Sequence, residues 1–400
     1  MNVLQLCNKS PYPPVEGGPM AMHAMSDMLW QKGCLLKILA VNTDKYFVQP
    51  ETIPLEYKQK TDIEFVYIDT NLKKIQALSC LLRNKSYHIE RFISEAFKEK
   101  LISVLSDKEF DIVQIESLYL CPYIPVIRQY SKAKIVLRAH NVEHKIWKRI
   151  AQNTMASLKK FYIHILTKQL KKYELNAIQK VDAVATISER DKDYFRSQGV
   201  RTPIETLTYG VNPQDISYHR LTSFPVHLFS IGSMNWLPNL EGLRWFLDKV
   251  WMKIYAKYPD LLFHIAGRNI PYDFPKKRYP NVNIVGEVPD AKEFMKENGI
   301  LIVPLLSGSG IRIKIIEGMM LGKPIITTTV GKEGIDATHR ENILIADTPD
   351  EFISCLEHCF THPEHMHRIG KNAVDFISLH HNNEKIAACL LEFYECILTQ

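Results

Sequence analysis

An apolar run that ends near Pro304 is followed by residues 307–320, which read SGSGIRIKIIEGMM. Glycines permit a tight backbone turn after a strand, and a helix then begins. The free N–H groups and the dipole at the start of a helix attract anions. Arg312 and Lys314 add two positive charges at this point, and Glu317 lies one to two turns further along. The order strand, glycine-rich turn, helix predicts a phosphate-binding α/β fold.

Two cations beside a helix start suit a diphosphate, and the Glu317 carboxylate is placed to accept hydrogen bonds from ribose hydroxyls. The segment therefore predicts a nucleotide-binding site. Its residues are Ser309, Gly310, Ile311, Arg312, Lys314 and Glu317. The simpler alternative is a glycine-rich surface loop that carries two bases.

Short apolar runs alternate with helical stretches in both halves of the chain. The runs are continuous rather than alternately polar, as expected for strands buried on both faces. Strand–helix alternation twice over predicts two doubly wound parallel sheets. The predicted strands are 3–6, 36–41, 65–68, 112–115, 135–139 and 183–187, then 227–231, 262–266, 282–285, 301–304, 325–328 and 343–346.

Turn residues cluster at 209–213, which predicts a first domain over 1–208, a second over 209–382 and a final helix over 383–400.

The N-terminus lacks the pattern of a signal peptide, and no apolar run approaches the roughly 18 residues of a membrane span. We therefore expect a cytoplasmic protein. No zinc spacing occurs among the eight cysteines, and we expect no nucleic-acid partner. Because no G-x-G-x-x-G follows the first strand, a Rossmann dehydrogenase is disfavoured.

Residues 307–320 resemble the C-terminal-domain signature of retaining GT-B glycosyltransferases of family 4, the group 1 glycosyltransferases. That signature has two glutamates separated by seven residues, a helix of small residues and a glycine–proline step into the next strand. Glu317 matches the second glutamate, and Gly322-Lys323-Pro324 matches the step. Ser309 stands in place of the first glutamate, which in the family contacts donor-sugar hydroxyls. The resemblance implies α/β architecture of the GT-B type: two facing Rossmann-like domains with a cleft between them, the first binding acceptor and the second donor.

Three further loops extend the resemblance along the chain. Gly17 and Gly18 end a PPVEGG segment like the family's proline and double-glycine loop, whose amides would face the donor phosphates. His140 follows a strand where similar enzymes carry a histidine near the anomeric carbon, so the resemblance implies that His140 and Glu317 are catalytic. Additional donor contacts are implied for Gly232, Ser233 and Val288. Ordinary turns, and a structural histidine, are the alternatives.

The resemblance further implies transfer from a nucleotide-sugar with retention of anomeric configuration, without metal or other cofactor. The acceptor would be a glycan or a lipid-linked glycan in cell-surface polysaccharide synthesis. Two alternatives share the architecture. One is a nucleotide-sugar 2-epimerase, and the other is a non-catalytic nucleotide-sugar-binding partner, which Ser309 favours.

Residues 145–180 hold nine basic residues and one acidic residue, Glu174. Apolar side chains at Phe161, Ile163, Ile165 and Leu166 are interleaved with the bases. An amphipathic helix of this kind predicts peripheral contact with an anionic membrane, here the inner face of the plasma membrane. The alternative is that the lysines solvate a helix whose apolar face packs on its own sheet.

Overall fold

The computed structural model describes residues 1–154, 157–218, 227–275, 279–308 and 310–399. The chain divides into two compact units. The first comprises Met1–Tyr209 and Glu384–Gln400, and the second comprises Gly210–Asn383.

The first unit is built on a parallel sheet of seven strands in the order β3-β2-β1-β4-β5-β6-β7. Central β1 pairs with β2 on one side and with β4 on the other. Its Leu4 and Leu6 lie in one apolar core and Val3 lies in another, so both faces of the sheet are covered. The strands are β1 Asn2–Cys7, β2 Leu35–Asn42, β3 Ile63–Tyr67, β4 Ile112–Ile115, β5 Lys134–Ala139, β6 Ala183–Thr186 and β7 Ile204–Thr206.

Helices connect successive strands of this sheet. They are α1 Gly17–Gln31, α2 Leu55–Thr61, α3 Lys74–Leu82, α4 Tyr87–Glu90, α5 Glu95–Asp107, α6 Ile124–Tyr130, α7 Glu143–Asn153, α8 Ser157–Ile178 and α9 Glu189–Ser197. Right-handed crossovers that run outward in both directions from β1 place these helices on both faces.

The second unit has a parallel sheet of six strands in the order β10-β9-β8-β11-β12-β13. The strands are β8 Leu228–Ile231, β9 Phe263–Ala266, β10 Val282–Gly286, β11 Ile300–Val303, β12 Ile325–Thr327 and β13 Leu344–Ile345. The helices are α10 Leu237–Phe246, α11 Met252–Lys257, α12 Ala291–Glu297, α13 Ile313–Met320, α14 Pro349–Thr361 and α15 Pro363–His380. A π-helical turn, Leu247–Trp251, joins α10 to α11.

The prediction of two doubly wound parallel sheets is confirmed, and each of the twelve predicted runs overlaps an observed strand. Strand β7 was missed because Ile204-Glu205-Thr206 offers only one apolar side chain. It pairs with β6 alone, at the edge of the sheet.

The last helix, α16 Asn383–Leu398, packs on the first unit. Its Leu390 and Tyr394 are buried in the same core as Val3 of β1 and Ile112 of β4. The Tyr394 hydroxyl donates to the side-chain oxygen of Gln114 on β4. The C-terminal segment thereby completes the core of the unit that contains the N-terminus.

The basic segment 145–180 forms α7 and α8. Ile163 and Leu166 of α8 are buried, whereas Phe161 is 67% exposed. The apolar side of α8 at Ile163 and Leu166 therefore packs against the protein itself. Of the four apolar residues singled out in this segment, only Phe161 is widely exposed. Among the described residues, no helix is both long and apolar enough to cross a bilayer.

Candidate functional site

The second unit carries a cationic site where α13 begins. Arg312 is the N-cap residue of α13 and is buried. One of its guanidinium nitrogens donates to the Gly310 carbonyl over 2.6 Å, and the guanidinium lies 5.0 Å from the centre of a Trp236 ring. Gly308 and Gly310 have φ values of 120° and 81°, which glycine adopts readily. Ser309 lies outside the described residues.

Lys314 lies in the first turn of α13, and its amine reaches the end of β8. The amine donates to the Ile231 carbonyl over 2.9 Å and to the Asn239 side-chain oxygen over 2.8 Å. Gly232 covers it so closely that a Cβ there would stand 2.9 Å from the amine nitrogen. Burial, and secondarily the nearby Arg312, lower the pKa of Lys314 to about 7. An anion bound here would favour the charged amine.

The loops after β8 and β9 meet this site. Ser233 donates through its hydroxyl to Asn235 over 2.7 Å, and its carbonyl accepts from the Asn239 amide over 2.8 Å. A Cβ on Gly267 would lie 1.8 Å from the Gly232 carbonyl oxygen, so only glycine allows this approach. The predicted residues Gly232, Ser233, Gly310, Arg312 and Lys314 are thus brought to one end of one sheet.

Glu317 lies in the second turn of α13 and is half-buried. Burial raises its pKa to about 7; Lys292 opposes the shift, while Asp290 and Asp215 add to it. Its carboxyl group makes no hydrogen bond with any residue that the structure describes. The group can therefore pair with a ligand hydroxyl. Val288 is half-buried in the loop between β10 and α12.

The first unit holds a buried polar network centred on Glu116, directly after β4. One oxygen of Glu116 lies 3.4 Å from an Arg138 guanidinium nitrogen and 2.8 Å from His140 Nε2. The other accepts from the side-chain amides of Gln114 and Gln5. Burial raises the pKa of Glu116, but Arg138 and His140 outweigh it, so the net pKa is lowered. A charged carboxylate therefore orients His140.

His140 follows β5, as the sequence predicts. Its pKa is lowered, chiefly by burial and also by Arg138, although the hydrogen bond to Glu116 opposes the shift. Lys9 also lowers the pKa of His140 electrostatically. Gly17 and Gly18 open α1, and a Cβ on Gly18 would lie 3.0 Å from the Lys9 side chain. The sequence did not single out Lys9, which brings a cation to this end of the sheet.

Glu143, which was not assigned a role from sequence, lies beside His140. It accepts a hydrogen bond from the Tyr119 hydroxyl over 2.8 Å. Burial, together with the charge of Glu174, raises the pKa of Glu143 to about 7. Glu174 in turn accepts from the backbone N–H groups of Glu143 and His144 at the start of α7.

A small cavity joins these groups. It is lined by Ser117, Leu118, Leu137, Ala139, His140, Asn141, Glu143, Glu174 and Ile178. The available signal was the position of both residues just after β5, because ligands of parallel sheets bind beyond the carboxyl ends of strands. The cavity offers the imidazole of His140 and the carboxyl group of Glu143 to a hydroxyl-bearing ligand. No group of three or more His, Cys, Asp or Glu residues within the described ranges is arranged to hold a metal ion.

Residues 225–362 match the sequence model of a family described as glycosyl transferases group 1. The match lies within the second unit, which carries the Arg312 and Lys314 site. In sequence, the chain is similar to an uncharacterized 44.6 kDa protein in the cps region of Klebsiella pneumoniae. The two are 24% identical over 306 residues, which is 74% of this chain and 77% of that protein.

Two solved structures show the fold. Sucrose-phosphate synthase from Thermosynechococcus elongatus is similar with a TM-score of 0.72 and 14% identity over 100% of both chains. HepE from Anabaena, in complex with UDP-glucose, is similar with a TM-score of 0.65 and 13% identity over 99% of this chain and 100% of that chain. The fold is therefore GT-B, and the second unit contains the part of the chain that matches the group 1 glycosyltransferase model.

The Glu143 carboxyl group makes the stability of the first unit depend on pH. Its pKa is about 7 in the folded protein and about 4.3 in an unfolded chain. The folded state therefore favours the protonated form, and this stabilisation is lost as the pH rises through 7. We expect the free energy of unfolding of the first unit to fall between pH 6 and pH 8, and to fall less in Glu143→Gln, which stays neutral.

Urea denaturation at pH 6, 7 and 8 measures the effect. Glu51→Gln, at an exposed position in the same unit, should follow the wild-type dependence on pH. Parallel curves for the wild type and Glu143→Gln would contradict the assignment.

Proposed function

We propose that this chain, whose second unit contains a group 1 glycosyltransferase domain, transfers a sugar from a nucleotide-sugar to a glycan or lipid-linked acceptor. The observation that carries the proposal is the pairing of Arg312 and Lys314 at the start of α13, inside that domain. HepE, similar in fold, binds UDP-glucose. The relative in the Klebsiella pneumoniae cps region supports a role in cell-surface polysaccharide synthesis.

The donor would be held by its diphosphate and its ribose. Arg312, Lys314 and the free amides of α13 supply positive charge for the diphosphate. The protonated Lys314 amine is favoured once the diphosphate arrives, because the anion offsets the cost of burial. The Glu317 carboxylate accepts hydrogen bonds from the ribose hydroxyls, and Val288 lies against the base.

The transfer breaks the bond between the anomeric carbon and the diphosphate oxygen. A new bond forms from the acceptor hydroxyl to the same face of that carbon, which retains its configuration. The hydroxyl proton passes to the departing diphosphate oxygen, so atoms and charge balance. Arg312 and Lys314 stabilise the negative charge that develops on this oxygen, which is the charge that a metal would otherwise offset. His140, which Glu116 orients, is the first unit's candidate for contact with the transferred sugar.

Lipid-linked acceptors would reach the first unit at a membrane surface. The basic segment 145–180 supports this proposal. On α8 it exposes four lysines, which are Lys159, Lys160, Lys168 and Lys172. Each basic residue close to an anionic surface contributes about 1 kcal/mol. Several together give reversible attachment that weakens as salt screens the charges.

Donor binding should depend on Arg312. A hydrogen bond to a charged group contributes about 1.5–3 kcal/mol, so Arg312→Ala should weaken UDP binding at least tenfold, as measured by calorimetry. Arg368→Ala, at an exposed position of the same unit, is the matched control and should bind as the wild type does. Unchanged UDP affinity in Arg312→Ala would refute the diphosphate site.

Glu317→Gln should weaken binding of UDP more than binding of pyrophosphate, because pyrophosphate lacks ribose.

Turnover tests the transfer itself. The protein is supplied with a panel of UDP-, GDP- and ADP-sugars and a membrane extract as acceptor, in excess EDTA. We expect release of free nucleoside diphosphate that requires the extract and survives chelation. Activity that is lost with EDTA and restored by magnesium or manganese would refute the metal-free mechanism. A changed nucleotide-sugar without nucleotide release would indicate the epimerase, and binding without any conversion would indicate a non-catalytic partner.

A further inference from the structure

Helix α3 carries an apolar stripe that no described part of the protein covers. Ile75, Leu78 and Leu82 recur at helical spacing and are 88%, 58% and 81% exposed. Leu72, just before the helix, is 68% exposed. Monomeric soluble proteins seldom expose large apolar side chains in such a group unless the group has a partner.

The stripe continues onto α8. The buried side of α3 packs through Ala77 and Cys80 against Tyr162 and Leu166 of α8. Leu158 lies one helical turn before Tyr162 and two turns before Leu166, so it is on the same side of α8. Its side chain is 85% exposed. We define the α3 patch as the exposed apolar residues of this region, which are Leu72, Ile75, Leu78, Leu82, Leu158 and Phe161.

Only positive charge flanks the α3 patch within its own two segments. Residues 71–86 contain four bases and no acid, and residues 157–172 contain five bases and no acid. The bases are Lys73, Lys74, Arg83 and Lys85 in the first segment and Lys159, Lys160, Lys168, Lys171 and Lys172 in the second. Acids from outside these segments pair with Lys73 and Lys85, through Asp69 at 2.9 Å and Glu90 at 3.2 Å.

We propose that the α3 patch inserts into the headgroup–acyl boundary of an anionic membrane while the surrounding bases contact the lipid headgroups. Apolar side chains bordered by lysine and arginine match the chemistry of that boundary. A second copy of the chain is a poorer occupant, because the two sets of bases would face each other. The inference deepens the proposed membrane contact and rests on it, but it is independent of the transfer chemistry. It names α3, rather than the interior face of α8, as the inserting element.

Co-sedimentation with phosphatidylglycerol-rich vesicles tests the inference. The full chain should bind these vesicles, should bind phosphatidylcholine vesicles weakly, and should detach as sodium chloride rises from 0.05 M to 0.5 M. The variant Ile75→Gln/Leu78→Gln/Leu82→Gln should lower the partition coefficient at least tenfold, since three apolar side chains no longer leave water. The single variant Ile75→Gln should lower the partition coefficient at least threefold. This variant tests the inference if the triple variant does not fold.

The matched control changes three exposed leucines on other helices: Leu55→Gln/Leu379→Gln/Leu398→Gln. It should bind as the wild type does, and equal losses in both triple variants would overturn the inference. No sedimentation at low salt would also overturn it, as would self-association that the α3 variant abolishes without any vesicle binding. Calorimetry with UDP on each variant separates the two proposals: vesicle binding that fails while UDP still binds overturns only the membrane inference.

Discussion

One amine ties together the loops of the candidate site in the second unit. Lys314 reaches from the first turn of α13 to the carbonyl of Ile231 at the end of β8, and Asn239 holds it there. Gly232 and Gly267 must both be glycine for the loops after β8 and β9 to close over it. A buried cation is costly without a counter-charge, which lowers the pKa of Lys314 to about 7. An anion bound beside Lys314 would supply that counter-charge.

In the first unit, the groups with shifted pKa values at the ends of the strands include two carboxyls, Glu116 and Glu143. Glu116 stays charged since Arg138 and His140 surround it, whereas Glu143 stands near Glu174 and holds its proton up to a pH of about 7. Two carboxyl groups at one end of one sheet thus have different protonation states. This difference lets Glu116 orient a histidine while Glu143 offers either a donor or an acceptor to a ligand.

The sequence predicted the features that depend on residues close together in the chain. Continuous apolar runs located both sheets, and the glycines and bases of 307–314 pointed to the candidate anion site. Contacts between distant residues could not be read in this way. Tyr394 and Gln114 are 280 positions apart, and Lys314 and Asn239 are 75 apart. The raised pKa of Glu143 was equally hidden, since it comes from burial in the folded first unit and, secondarily, from Glu174 on another helix. The exposed stripe of α3 was missed because an apolar helix residue is ordinarily assigned to a core.

The protonation of Lys314 on donor binding tests the account most directly. Calorimetry at pH 6 and pH 8, in buffers of different ionisation enthalpy, measures the protons taken up with the tightest binder among UDP-, GDP- and ADP-glucose. The pKa of Lys314 without ligand is about 7. On binding the donor, the wild type should therefore take up close to one proton at pH 8 and far less at pH 6. Lys314→Arg, which is always charged, should take up none at either pH. Binding at pH 8 without proton uptake by the wild type, or with equal uptake by Lys314→Arg, would contradict the central role of this amine.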